Sequence, residues 1–461
     1  MLQCISPINN SIYVERPYAE ASEIEQVLHA AQLASQSWKN TSVSERAELC
    51  EKLVDAFVAN ADVFAEELAH QMGRPIKYGV GEVRGFEERA RCMINLAQEA
   101  LADIELPKQD GFLRFIRRVP IGVVLTVAPW NYPLLTAVNS IIPALMAGNT
   151  LVLKHSHQTP LCGERMVEAG KEAGLPEGLF QLLHLSREQT SEIIRSPIIG
   201  GVAFTGSVAG GAQIEAAAAG RFIPVGLELG GKDPAYVRAD ADLSFAVENL
   251  VDGSFFNSGQ SCCGIERIYV HADHYGAFVE GFVEITKGYV LGNPLDTSTT
   301  LGPMVRTSAA DFVRGQINEA VKAGAISLVD PSLFPAHKEG TPYMAPHVLV
   351  EVDHSMRVMT EESFGPVVGI MKVNSDEEAI SLMNDSDLGL TASIWSNNVD
   401  EALALGNQVE AGTVFMNRCD YLDPELAWTG VKNTGRGVSL SRLGYDQLTR
   451  SKSYHYRTKI N

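Results

Sequence analysis

From Ser22 to Ala102 the apolar positions recur at helical spacing, as in Ile24, Val27, Leu28 and Ala31 and again in Leu49, Leu53, Ala56 and Phe57. This periodicity predicts an opening third made mostly of helices. Between Leu106 and Val119 the pattern changes to apolar and charged alternation (Phe112, Arg114, Ile116, Arg118), which predicts an exposed strand or hairpin away from any main sheet. After Pro120, short β-branched runs bounded by Gly or Pro alternate with helical stretches: Val123 to Val127, Thr150 to Leu153, Phe180 to Leu183, Val202 to Phe204 and Val225 to Leu229. Strands separated by helices of this length require crossovers, and crossovers imply a parallel sheet. A second series follows from Ala235, with strands near Arg267 to His271, Val367 to Val373, Ala392 to Trp395 and Thr413 to Met416, and predicts a second α/β domain. The polar and aromatic alternation of Ser451 to Thr458 predicts a strand that pairs with the peripheral hairpin or with another subunit.

Composition narrows the function classes. The 461 residues are 45% hydrophobic and 20% charged, which is the make-up of a globular protein and excludes disorder, collagen and small disulfide scaffolds. The formal net charge of −19 is spread without a basic tail, so neither nucleic acid nor an anionic membrane is an expected partner. The cysteines at 4, 50, 92, 162, 262, 263 and 419 are odd in number and lack zinc-type spacing, so neither a disulfide framework nor a metal site is expected. The opening MLQCISPINN lacks a charged start followed by an apolar run, and no apolar stretch is long enough to span a bilayer. A reducing, cytoplasmic setting is the expectation.

Two nucleotide signatures fail. GxGxxG is absent, and GLELGGKD (Gly226 to Asp233) has phosphate-loop spacing but puts Asp233 where magnesium would need a hydroxyl. Three other segments carry candidate chemistry. In APWNYP (Ala128 to Pro133) two prolines stiffen the loop after an apolar strand, so Asn131 is either an oxyanion donor or a capping asparagine. In FFNSGQSCCG (Phe255 to Gly264) two adjacent cysteines follow a turn-prone run, as a nucleophile or as small core residues. Glu228 lies in an apolar strand, so its carboxylate is either a desolvated general base or the ion-pair partner of Lys232.

Taken together, PWNYP, FTGS (Phe204 to Ser207), ELGGK (Glu228 to Lys232), NSGQSC ending at Cys262, and EESFGP (Glu361 to Pro366) resemble the aldehyde dehydrogenase superfamily in order and spacing, with Glu228 and Cys262 34 positions apart. The likeness runs from about Ala21 to the GVKNTGRG segment. It implies two parallel-sheet α/β domains, a Rossmann-like cofactor domain (1–101 and 121–230) and a catalytic domain (231–440), plus a small β oligomerisation element (102–120 and 441–461). It also implies a homodimer or homotetramer, NAD or NADP as cofactor, and a small-molecule aldehyde as substrate. Residue by residue, Cys262 becomes the nucleophile with Cys263 a bystander, Asn131 an oxyanion donor and Glu228 the base of a non-acylating enzyme. Lys154, His157, Thr205, Gly206, Ser207, Glu362 and Phe364 become cofactor contacts.

Departures from the pattern carry their own expectations. After LVLK the position of the family's ribose-gripping acid is His157, which admits NADP, and His184 and Arg187 in LLHLSREQ either favour an added phosphate or are solvated. The first strand pair of the cofactor domain is expected to be trimmed. AWTGVK puts Trp428 and Thr429 beside the substrate tunnel, which Tyr132, Phe256, Ser261 and Trp428 are expected to line with an aromatic, largely uncharged wall suited to apolar or aromatic aldehydes. Cys419 and Tyr421 either face the same opening or pack in their loop. The rival readings are a coenzyme A-acylating relative, which would lack the Glu228 base, a thiol esterase without nicotinamide, which would need a histidine near the thiol, and a catalytically silent relative.

Overall fold

The computed structural model describes residues 1–460. Four helices, Ala21–Trp38, Val43–Val58, Ala61–Met72 and Ile76–Ala100, fill the opening third as the periodicity predicts. Local chemistry sets their ends: Ser42 and Glu45 form a reciprocal capping box ahead of Val43–Val58, and Gly73 closes Ala61–Met72 in the left-handed region at φ 85°. The chain nevertheless opens on an antiparallel strand pair, Leu2–Ile5 with Ile12–Arg16, so the expected trimming of a first strand pair does not occur. Burial of Leu2, Cys4 and Val14 holds this pair down.

A six-stranded sheet runs in the order Gly435–Arg436, Val225–Glu228, Ile199–Thr205, Val123–Val127, Thr150–Lys154 and Phe180–Leu182. All neighbours are parallel except the first pair. Val123–Val127 is buried along its whole length, as a strand covered by helices on both faces must be. Gly435–Arg436 lies inside the stretch 231–440 yet returns to this first sheet.

The second sheet has seven strands: Ile326–Ser327, His347–Val350, Val367–Val373, Ile265–His271, Asp233–Val237, Thr391–Trp395 and Thr413–Met416. Only its Ile326–Ser327 edge is antiparallel. The interior strand Asp233–Val237 escapes periodicity because it opens on Asp-Pro, which reads as a strand breaker; a register shift between Asp233 and Pro234 takes up the missing amide. A third, antiparallel sheet pairs Thr449–Arg457 with Phe112–Pro120, flanked by Ile104–Glu105. The carboxyl-terminal strand thus pairs with the peripheral hairpin, one of its two expected partners.

Candidate active site

Strand register gathers the site. Val127 stands opposite both Lys154 and Phe204, and Thr205 stands opposite Glu228, so four adjacent parallel strands end together. Val123–Val127 lies between the next strand in sequence and a later one, which makes it the point where strand order reverses. Crevices at such switch points, outside the carboxyl ends of the strands, are where open α/β sheets bind ligands. The loop carrying Asn131 leaves this strand, and Pro133 then starts the helix Pro133–Met146.

The cysteine turn comes from the other sheet. Helix Leu243–Phe255 ends, and Asn257 (φ 54°, ψ 30°), Ser258 (φ 58°, ψ 33°) and Gly259 (φ 69°) all take left-handed backbone. Two consecutive non-glycine residues there are strained and persist only where their surroundings over-determine them. Those surroundings are visible: Asn257 Nδ2 donates to the carbonyls of Asn131 (3.1 Å) and Gln260 (3.2 Å), and Ser258 Oγ donates to the Gly302 carbonyl at 2.7 Å. Gln260 Nε2 donates to the Asn257 carbonyl at 3.1 Å while Gln260 Oε1 accepts from the Val305 amide at 2.8 Å. The turn leaves Cys262 partly exposed and Cys263 buried.

A cavity of about 540 Å³ opens above Cys262. Of the residues singled out in the sequence, Cys262, Cys263, Glu228, Thr205, Tyr132, Phe256, Ser261, Tyr421 and Trp428 border it. Asn131 does not; it sits just behind the wall, 5% exposed, with Nδ2 donating to the Gln260 carbonyl at 3.2 Å. Thr205 donates its hydroxyl to Glu228 Oε2 at 3.2 Å. Thr429 turns away from the cavity and donates to the Gly437 carbonyl at 2.7 Å. Tyr421 faces the opening, whereas the Cys419 thiol points at the Asn249 carbonyl.

The wall is not largely uncharged. Lys77, Arg84, Glu88, Asp252 and Asp420 all border the cavity alongside the aromatic residues. Residues 77, 81, 84 and 88 form one face of the helix Ile76–Ala100, a stripe set by the helical repeat and carried by no motif. Asp420 was equally silent in the sequence. Its Oδ1 accepts from the Ser261 hydroxyl and the Cys263 thiol, each at 3.0 Å, and burial pushes its carboxyl up to about 6.

Among the described residues Glu228 forms no ion pair, although the buried Arg89 lies near enough to pull its pKa down. Ser439 Oγ and Thr205 Oγ1 donate to its two oxygens, and burial raises its pKa above the usual carboxylate range, against the pull of those two hydroxyls. Lys232 is not its mate: that ammonium is buried against Glu266 and donates to Ser363 Oγ at 3.1 Å.

The remaining motifs converge nearby. A side-chain carbon on Gly230 would collide with the Glu362 carboxylate, and one on Gly231 with the Cys262 carbonyl, so the glycine pair of ELGGK is what lets these two segments meet. Glu362 Oε1 accepts from the Gly231 amide at 3.0 Å, and burial lifts this carboxyl to about 8. The amides of Ser363 and Phe364 donate to Glu266, and the Phe364 ring meets Trp130 edge-on at 5.7 Å.

On the far side of the first sheet Lys154 forms no ion pair among the described residues, and burial, with Arg187 nearby, pushes it down to about 8. His157 Nε2 lies 2.7 Å from the Leu185 carbonyl, to which it must donate, and burial lowers its pKa. His184 is taken up by Glu164 at 3.0 Å, which also holds Arg16. Ser207 Oγ accepts from the Gly210 amide at 3.2 Å as the cap of helix Val208–Ala218, and the Gly206 amide donates to the Glu228 carbonyl at 3.0 Å.

Comparison with known proteins identifies the family. The profile of the aldehyde dehydrogenase family matches residues 1–454. The succinate-semialdehyde dehydrogenase [NADP(+)] of Mycolicibacterium paratuberculosis is 35% identical over 416 residues, covering 90% of this chain and 88% of its own. The 3-sulfolactaldehyde dehydrogenase of Priestia megaterium is 34% identical over 453 residues, covering 95% and 92%. The crystal structure of NADP-dependent glyceraldehyde-3-phosphate dehydrogenase from Bacillus halodurans, complexed with NADP, superposes with a TM-score of 0.93 at 32% identity, covering 99% of this chain and 96% of that one.

Proposed function

The chain belongs to the aldehyde dehydrogenase family and is an NAD(P)-dependent aldehyde dehydrogenase, and from that premise we propose a mechanism in which Cys262 carries the substrate, Asn131 steadies the oxyanion and Glu228 activates water. One observation carries this reading: Cys262 and Glu228 border a single cavity, and Asn131 is bonded to the carbonyl two residues ahead of the thiol.

The cofactor site fits NAD or NADP on three features. The crevice lies at the strand-order switch, Lys154 is a cation without a partner among the described residues, and Glu362 keeps Oε2 without a hydrogen bond there. Lys154 and His157 would face the adenosine ribose and Thr205, Gly206 and Ser207 the pyrophosphate side, while Glu362 and Phe364 would hold the nicotinamide ribose and ring. When bound, the nicotinamide accepts the hydride that leaves the substrate carbon.

The chain's own residues do the rest. The Cys262 thiolate adds to the aldehyde carbon, and the carbonyl electron pair moves to oxygen. Asn131 has two amide hydrogens, one of which serves Gln260, so the other is left, with the backbone N–H of Cys262, as a donor for the developing charge. Such a donor contributes about 3 to 4 kcal/mol to the transition state. After hydride departs, a thioester remains on Cys262. Glu228 takes a proton from water, the hydroxyl adds to the thioester carbon, and the thiolate leaves with release of a carboxylic acid. A carboxyl raised by burial is a better base near neutral pH than an ordinary one.

Water rather than coenzyme A is the acceptor in this reading, because Glu228 faces the cavity. No histidine borders that cavity among the described residues, which weighs against a thiol esterase. Tyr132, Phe256 and Trp428 beside the thiol favour an apolar or aromatic aldehyde head, with the charges of Lys77, Arg84 and Glu88 along the helical wall. Residues 1–101 with 121–230 would bind cofactor, 231–440 would carry the thiol, and 102–120 with 441–461 would assemble a homodimer or homotetramer. The outer edge of Thr449–Arg457 supports assembly, since it ends its sheet and an exposed strand edge is a template for pairing. Seven free thiols suit a reducing, cytoplasmic setting.

The test is a panel of aldehydes run separately with NAD and NADP on the wild type, Cys262→Ala and Glu228→Gln. Cys262→Ala should lose oxidation while binding cofactor, and Glu228→Gln should accumulate thioester. Retained turnover in either variant would overturn that residue's role, and a preference for succinate semialdehyde over benzaldehyde would overturn the substrate reading.

A further inference from the structure

Arg74 stands outside every motif, in the Gly73–Pro75 turn between the helices Ala61–Met72 and Ile76–Ala100. Its side chain is 2% exposed, an unusual place for a guanidinium unless each face has a partner. Each does. Nη2 donates to the Asn131 carbonyl at 2.8 Å, Nε donates to Asn257 Oδ1 at 3.3 Å, and Nη1 is paired with Glu82. Glu82 in turn accepts from the Leu134 amide at 2.9 Å, and the guanidinium lies 4.5 Å from the Tyr132 ring centroid. One cation therefore touches the loop that bears Asn131, the residue after it, and the strained turn that ends in Cys262.

We propose that Arg74 is a positioning residue that holds the oxyanion donor and the nucleophile turn in one register, an inference that rests on the roles assigned to Asn131 and Cys262 above. The Asn131 carbonyl receives two donors, Arg74 Nη2 and Asn257 Nδ2, while Asn257 Oδ1 receives Arg74 Nε. This closed triangle fixes the Asn131 peptide plane and hence the direction of its carboxamide toward Gln260. Only a planar fork spans three acceptors in fixed directions; a lysine ammonium is a point charge on a flexible stem and keeps at most the pairing with Glu82. A donor displaced by about 1 Å from a developing charge loses on the order of 10²-fold in rate.

The experiment is a double-mutant cycle in the full-length enzyme with aldehyde and cofactor each varied in turn: Arg74→Lys, Asn131→Ala and the pair. Arg74→Lys is expected to lower kcat by on the order of 10²-fold with KM for NAD(P) changed less than about 3-fold. On the Asn131→Ala background the same substitution should cost at least about 10-fold less than in the wild type, because one of the two groups it positions is gone. Equal losses on both backgrounds, or an unchanged kcat in Arg74→Lys, would overturn the proposal. An unchanged kcat in Asn131→Ala would instead remove the oxyanion reading beneath it. Should Arg74→Lys fail to fold, Asn257→Gly serves in its place: glycine accepts the left-handed turn while deleting the carboxamide arm, and the same non-additivity with Asn131→Ala is expected, additive losses counting against it.

Discussion

The Cys262 carbonyl rests so closely against Gly231 that a side-chain carbon at position 231 would overlap it. Two motifs 31 residues apart, on different strands' ends, are thereby in backbone contact, and the nucleophile's position depends on the absence of a methyl group elsewhere in the chain. Gly231→Ala should push the cysteine turn outward. Because the obstacle is backbone and not a flexible side chain, the overlap is not relieved by a rotamer change, and a loss of about 1 to 3 kcal/mol in stability is expected. The kinetic effect should exceed the structural one: kcat falls by at least about 10-fold at temperatures where the variant is fully folded. Steady-state kinetics alongside thermal melts decide it, and a normal kcat would show that the contact does not set the thiol's position.

The adjacent thiols should behave as opposites. Cys263 is buried, and its thiol is raised far above the usual range by its neighbour Cys262, by burial and by Asp420, so it presents no thiolate at neutral pH. Cys262 opens onto the cavity. Brief treatment with iodoacetamide, read by peptide mass spectrometry, should label Cys262 first. Cys263→Ser, which keeps a donor for Asp420, should retain kcat within about 3-fold, whereas Cys262→Ser should lose nearly all of it. Inactivation that tracks label at Cys263 would reverse the assignment.

Lys232 and Glu266 form a buried pair whose carboxylate also collects the Ser363 and Phe364 amides. Lys232→Met would leave Glu266 buried without its cation, a change that costs about 3 to 5 kcal/mol in comparable sites. The damage should be felt first by the loop bearing Glu362, so KM for NAD(P) should rise more than KM for aldehyde. Equal changes in the two constants would mean that the pair supports the fold and not the cofactor loop.

What the sequence disclosed and what it withheld divide along a physical line. Strands such as Val123–Val127 and Val367–Val373 were legible because β-branched runs between turn residues have few alternatives. Asp233–Val237 was not, since its Asp-Pro opening is tolerated only through a register shift that exists in three dimensions. In the site, Glu228 stood out as an acid in an apolar strand and Cys262 as one of two adjacent cysteines after a turn-prone run, whereas Glu362 came only with the family resemblance. Arg74, Glu82 and Asp420 did neither, for their importance lies in partners 8, 57 or 159 positions away, which no local pattern encodes. The charged cavity wall was missed for a related reason: Lys77, Arg84 and Glu88 are an exposed, solvated helix face, and only the fold sets that face along the cavity opening.

Glu362 yields a prediction about stability against pH. Burial raises its carboxyl to about 8, well above the 4.5 of an unperturbed glutamic acid. Between these two values the folded protein holds a proton that the unfolded chain has released, so the folded state binds more protons and its stability declines as pH rises through that window. The contribution is fully present below about pH 4.5 and lost above about pH 8. Glu362→Gln carries a permanently neutral group of the same shape and removes this dependence. Melting curves of the cofactor-free protein from pH 5 to 9 should therefore show the variant gaining on the wild type as pH increases, the two lying closest at the acid end. The same variant should bind NAD(P) more weakly, and the deficit should grow as pH rises toward about 8, where the wild type presents a carboxylate to a ribose hydroxyl. A constant difference between the two melting profiles would mean that the carboxyl is already ionised in the folded enzyme, and that Gly231 and Lys232 outweigh its burial.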